Sequence, residues 1–131
     1  MKLLLDTQCW LWMTAAPDRF SRTALEIVEN EATDLLLSAA CAWEIAIKHA
    51  LGKLVLPMKP SEYVESRLRQ TRTSPLAISY AHALRAGELP PHHRDPFDRL
   101  LVAQSQIEKL PILTADPILN RYDVDVIDAQ G

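Results

Sequence analysis

The chain has 131 residues, 48% of them hydrophobic and 24% charged, with a net charge of −3 at pH 7. This suffices for one domain with a packed core, and it excludes the broad basic field that would bind nucleic acid by charge alone. Cys9 and Cys41 stand in apolar surroundings outside any C-x-x-C pair, which excludes zinc and redox motifs of that kind and predicts two buried thiols in a reducing compartment.

The opening "MKLLLD" meets an aspartate after three leucines, too soon for a signal peptide or a membrane span, so a soluble, cytoplasmic protein is expected. Leu3 to Leu5 reads as a short buried strand ended by Asp6. Ser21 is placed to cap a helix to Asn30, in which Ala24, Leu25, Ile27 and Val28 recur at helical spacing. "DLLLS", residues 34 to 38, predicts a second buried strand, followed by a helix from Ala39 to Leu51 that Gly52 stops. Ser61 is expected to cap the next helix, with Tyr63, Val64 and Leu68 on its apolar side, and Ser79 to open another through Ala83 and Leu84 to Gly87. Pro90 and Pro91 break the chain, and Pro96 starts a long helix to about Lys109. "PILTAD", 111 to 116, predicts a third strand and "VDVID", 124 to 128, a fourth.

No repeat, low-complexity tract or linker interrupts this order, so residues 1–131 are expected to form a single domain. Short apolar strands alternating with helices predict an α/β fold around a parallel sheet covered on both faces. Ligands in such folds sit outside the carboxyl ends of the strands. Asp6 and Asp116 fall at two such ends, and Ser38 with the helix bearing Glu44 follows a third.

Each acid has a local explanation. Asp6 and Asp116 suit turns or caps, and Glu44 can pair with Lys48 one helical turn on. Asp95 suits the N-cap of the Pro96 helix and Asp98 its third position, where the helix dipole favours both. Glu44 is nevertheless flanked by Ala42, Trp43, Ile45, Ala46 and Ile47, and a carboxylate buried there needs a partner or a metal. Carboxylates converging at one sheet end repel each other unless a cation sits between them. All-oxygen sites suit magnesium or manganese, ions that activate water and stabilise a phosphodiester transition state.

In order and spacing, "LLLDTQ", "SAACAWEIAIKHALGKL", "LPPHHRDPFDRLLVAQ" and "ILTADP" resemble the motifs of PIN-domain ribonucleases, in particular the VapC-type toxins of type II toxin–antitoxin modules. The likeness runs from Met1 to about residue 127, and the "HRDPFDRLLVAQ" block is its most specific part. It implies a three-layer α/β/α sandwich around a short, mainly parallel sheet, and a metal-dependent endoribonuclease that cleaves RNA with a metal-activated water. By motif position Asp6, Glu44, Asp98 and Asp116 would be the catalytic acids and hold Mg²⁺ or Mn²⁺. Asp95 would be an outer-shell residue or hold the helix start, and Thr114 falls where relatives place a hydroxyl near the metal, although it suits a plain strand residue equally. Gln8 departs from the pattern, since similar sequences often carry histidine there, and it bears on substrate preference or outer hydrogen bonding. The resemblance also implies a homodimer and a cognate antitoxin whose segment inserts near the acids.

Arg94 and Arg99 are candidates for RNA phosphate contacts or for pairing with Asp95 and Asp98. His92 and His93 with Asp95 would suggest zinc, but adjacent histidines on a rigid "PPHHR" loop do not converge easily on one ion. Trp10 and Trp12 suit the core or a subunit contact better than stacking on RNA bases. A phosphoacceptor domain would need an acidic pair after the first strand and a late lysine, both missing here. A haloacid-dehalogenase-like phosphatase would need an aspartate where Gln8 stands. A catalytically silent PIN-fold binding protein is the remaining alternative.

Overall fold

The computed structural model describes residues 1–131. Its strands are β1 (Lys2–Leu5), β2 (Asp34–Ser38), β3 (Thr73–Leu76), β4 (Ile112–Thr114) and β5 (Val126–Asp128). They form one sheet in the order β3-β2-β1-β4-β5, with every neighbouring pair parallel. Six helices connect them: α1 (Thr7–Ala15), α2 (Arg22–Glu29), α3 (Ala39–Ala50), α4 (Pro60–Gln70), α5 (Tyr80–Glu88) and α6 (Pro96–Glu108), with 3₁₀ turns at Pro17–Arg19 and Pro117–Arg121. No helix is long and apolar enough to cross a membrane.

Leu3, Leu4 and Leu5 are all fully buried, although successive strand residues point to opposite faces. Both faces of the sheet are therefore covered, which gives the three-layer arrangement. Ile112 and Leu113 repeat the pattern on β4. Each such leucine contributes about 1.5–3 kcal/mol through burial. Cys9 and Cys41 are buried and unpaired, and desolvation pushes both thiols upward, Cys41 to about 12, so they behave as small apolar groups.

Several helix ends follow the sequence signals. Ser21 caps α2 by accepting from the Ala24 amide, and Ser79 caps α5 in a reciprocal box with His82. At the end of α3, Gly52 takes a φ of 72°. Its amide donates to His49 O and that of Lys53 to Lys48 O, which closes a Schellman motif.

Three expectations need correction. The sheet has five strands, because Thr73–Leu76 adds β3 beside β2. Its Pro75 is tolerated because β3 lies at an edge, where one missing amide breaks no second ladder. Residues 7–15 form α1, to which the sequence reading assigned no element. Finally, α4 begins at Pro60 rather than after a Ser61 cap; the proline occupies the first turn, and Lys59 at the N-cap makes no side-chain bond.

The chain runs from the central strand β1 to β2 on one side and reaches β4 only later, on the other. The crevice at the carboxyl ends of β1 and β4 is thus the point where strand order reverses, the place such sheets reserve for ligands.

Candidate active site

Asp6 directly follows β1 and caps α1, its Oδ1 accepting from the Cys9 amide at 2.7 Å. Glu44 is on the second turn of α3, whose start is fixed by Ser38 Oγ accepting from the Ala40 amide. Asp95 caps α6 by accepting from the Phe97 amide, Pro96 begins the helix, and Asp98 is its third residue. Asp116 follows β4 and caps the Pro117–Arg121 turn through the Ile118 amide. The local cap readings therefore hold for Asp6, Asp95 and Asp116. The fold also brings these three acids, with Glu44 and Asp98, into the lining of one cleft of about 350 Å³. Gln8, Leu11, Trp12 and Lys48 complete much of its wall.

Two hydroxyls brace the acids from below. Thr114, fully buried on β4, donates to Asp6 Oδ2 at 2.5 Å and accepts from the Asp116 amide at 3.0 Å. The Thr114 side chain therefore ties the two strand-end aspartates together. Thr7 donates to Glu44 Oε1 at 2.5 Å, while Lys48 Nζ stands 2.7 Å from Glu44 Oε2. Hydrogen bonding to Glu44 raises the ordinary value of the Lys48 ammonium.

The acids are electrostatically costly in this state. Burial pushes the Asp6 carboxyl upward against the opposing bonds from Thr114 and Cys9, and Glu44 adds to the rise. Burial also raises Asp98, to about 7; the charges of Asp95, Asp6 and Glu44 push the same way and His93 opposes them. His93 completes the cluster. Its Nε2 is 2.8 Å from Asp116 Oδ2 and 3.1 Å from Asp98 Oδ2, and these three residues offer ligand atoms within 4.8 Å of one another.

The donor set fits a hard divalent cation: carboxylates from four separate elements crowd one cleft, and the shifts of Asp6 and Asp98 mark charge left uncompensated there. The grouping weighed for zinc does not form. His92 is exposed with its ring 5.0 Å from Tyr122, while His93 turns toward Asp98 and Asp116.

Arg99 requires a correction. Its Nη2 donates to Ala86 O at 2.8 Å and Leu89 O at 3.0 Å, and its Nη1 to Pro90 O at 3.1 Å. Those bonds anchor the segment before α6, so the guanidinium neither pairs with the acids nor stands free for phosphate. Arg94 is exposed and forms no ion pair with Asp95 or Asp98. Trp10 is core, 2% exposed and edge-on to Tyr63 at 6.3 Å; Trp12 packs edge-on to Phe20 at 5.7 Å while bordering the cleft. Thr7 and His93 escaped the sequence reading as supports for the acids. Their bonds span 37 and 23 residues, and no local pattern reports them.

A model of the PIN domain family matches residues 3–125. The chain belongs to the PIN-domain family. This PIN domain is 44% identical over 75 residues to Ribonuclease VapC16 of Mycobacterium tuberculosis, covering 52% of this chain and 53% of that protein. It thus spans about half the length of that curated relative. Among solved structures it is similar in fold to a chain of VapBC2 from Rickettsia felis, bound in that crystal to a promoter DNA fragment, with TM-score 0.67, 17% identity and 98% of each chain covered. A chain of VapBC-1 from nontypeable Haemophilus influenzae gives TM-score 0.66 at 17% identity, again with 98% of each chain covered.

Proposed function

We propose that this PIN domain is a divalent-metal-dependent endoribonuclease and the toxin of a type II toxin–antitoxin pair. The observation that carries the reading is the convergence of Asp6, Glu44, Asp98 and Asp116, from four separate elements, on one cleft at the strand-order reversal. The partial likeness to a protein named as a ribonuclease supports the activity, and the fold shared with chains of VapBC complexes supports the toxin assignment.

In this reading Asp6, Asp98 and Asp116 hold Mg²⁺, or Mn²⁺ in its place, with Glu44 beside them. The ion supplies positive charge against the phosphodiester transition state and makes water a stronger acid. The protein's part is to position the ligands in advance. Thr114 fixes Asp6 and the Asp116 backbone, and Thr7 and Lys48 hold the two oxygens of Glu44. Asp98, raised to about 7, keeps a proton near neutral pH that a cation must displace. Gln8 and Lys48 line the same cleft within reach of an entering strand, and Arg94 is an exposed cation on the segment before α6.

For the antitoxin, the favoured seat is an apolar trough of about 490 Å³ lined by Leu11, Trp12, Ala15, Leu54, Val55, Leu56 and Tyr63, with Arg19 at its side. It shares Gln8, Leu11 and Trp12 with the acidic cleft, so an apolar segment lying in it leads directly to the acids. Val55 is 92% exposed there. Self-association into a homodimer belongs to the same proposal and is read by light scattering with and without the partner.

The test is cleavage of RNA by the purified chain with Mg²⁺ or Mn²⁺, with and without EDTA, beside Asp6→Asn. Metal-dependent cleavage lost in the variant supports the reading. Equal cleavage in EDTA or by the variant removes it, and absence of cleavage together with no divalent-ion uptake favours the silent binding protein.

A further inference from the structure

We infer that His93 is a positioning residue for the cation site: donating through Nε2, it holds Asp116, with Asp98 against the same nitrogen, in the orientation that receives the ion, and it is not itself a ligand. The inference rests on the metal-binding reading above and concerns how the chain prepares that site.

The tautomer follows from its neighbours. The Asp95 backbone amide donates to His93 Nδ1 at 3.1 Å, so that nitrogen presents a lone pair and the ring proton resides on Nε2. Nε2–H then donates to Asp116 Oδ2 at 2.8 Å, and Asp98 Oδ2 lies 3.1 Å from the same nitrogen. No lone pair remains there for a cation. Ligation through Nε2 would move the proton to Nδ1 and set it against the Asp95 N–H, donor against donor.

The rest of the segment holds the ring in place. The His93 amide donates to Tyr122 Oη at 2.9 Å, and Tyr122 Oη donates to Pro90 O at 2.8 Å. Arg99 secures the carbonyls of Ala86, Leu89 and Pro90 just before it. The His93 side chain is 12% exposed, so water reaches it little. A loop residue fastened at backbone and ring, its one donor given to the acid after β4 and the acid on α6 lying against the same nitrogen, has the form of a clamp. Hydrogen-bond partners behind metal ligands typically contribute about 10–100-fold to ion affinity.

The experiment is titration of Mn²⁺ into the full chain by calorimetry, for wild type, His93→Ala and His93→Gln, with pulsed electron paramagnetic resonance of the bound ion. The clamp predicts wild-type binding, a roughly 10–100-fold weaker Kd for His93→Ala, and substantial recovery in His93→Gln, whose amide retains a donor. It also predicts no coupling from a directly coordinated nitrogen in the wild type. An unchanged Kd in His93→Ala, or a coordinated-nitrogen signal in the wild type, overturns it. The resonance result decides even if His93→Ala does not fold. Wild type that takes up no Mn²⁺ overturns both this inference and the metal reading, whereas a Kd indifferent to His93 overturns this inference alone.

Discussion

Acidic side chains collect at both ends of the sheet, and the two collections behave differently. At the amino end, Glu29, Glu31 and Asp34 border a depression of about 490 Å³, larger than the catalytic candidate. They are exposed, and Glu31 has Arg72 at 3.7 Å, so water and a surface cation absorb their charge. At the carboxyl end the cleft is smaller, about 350 Å³, and Asp6 and Glu44 are buried in it. There Asp98 is driven to about 7 by desolvation and neighbouring carboxylates. Cavity size does not mark out the second region; its five acids against three, and above all their desolvation, do. A cation at the first gains little, and one at the second relieves a standing repulsion.

The strongest way to break the comparison is a matched pair of isosteric changes. Asp6→Asn should lower RNA cleavage by about a hundredfold or more, because several kcal/mol of cation-based stabilisation depends on it. Asp34→Asn, at the amino end, should leave the rate unchanged in the same assay. Equal losses in the two variants would erase the distinction.

The second prediction concerns ion and pH together. In the folded chain Asp98 keeps its proton up to about pH 7, while the unfolded chain releases it near the ordinary 3.8. The folded state therefore binds the extra proton between those values, and this group's contribution to metal-free stability falls as pH rises from about 4 to about 7. A cation needs the carboxylate, so stabilisation by Mg²⁺ should grow across pH 7, reaching about 2.7 kcal/mol at a hundredfold excess over Kd. Thermal melts in EDTA and in Mg²⁺ at pH 5, pH 6 and pH 8 measure both trends. Asp98→Asn should flatten the metal-free decline.

Much of this site was legible in the chain's own pattern. Asp6 and Asp116 each follow an apolar strand, Pro96 placed Asp95 at the N-cap and Asp98 on the first turn of α6, and the alternation of strands with helices put those ends together. Four features were not legible. In α1 nearly every position of "CWLWM" is apolar, so no helical stripe stands out. In β3, "TSPL" is half polar and contains proline, and only its place at the sheet edge makes it a strand. Thr7 and His93 act across the fold, and Arg99 looks like a phosphate ligand until the carbonyls of residues 86–90 close around it.

That last case gives the third prediction. Arg99→Gln should destabilise the chain by roughly 1–3 kcal/mol, since several carbonyls lose a charged donor, and Arg94→Gln should not. Urea melts rank the two, and equal stability would show that Arg99 is not the anchor described. The smallest effect is expected at the amino end. Glu31→Gln removes an exposed pair with Arg72 and should change stability by less than about 0.5 kcal/mol, a value that a larger shift in the same melts would refute.

The most direct measurement of the central claim is anomalous diffraction from crystals of the chain soaked in Mn²⁺. The account predicts a peak enclosed by Asp6, Asp98 and Asp116, with Glu44 alongside and none among Glu29, Glu31 and Asp34. A peak confined to the amino-end depression, or none between the carboxylates at the mouth of β1 and β4, would contradict it.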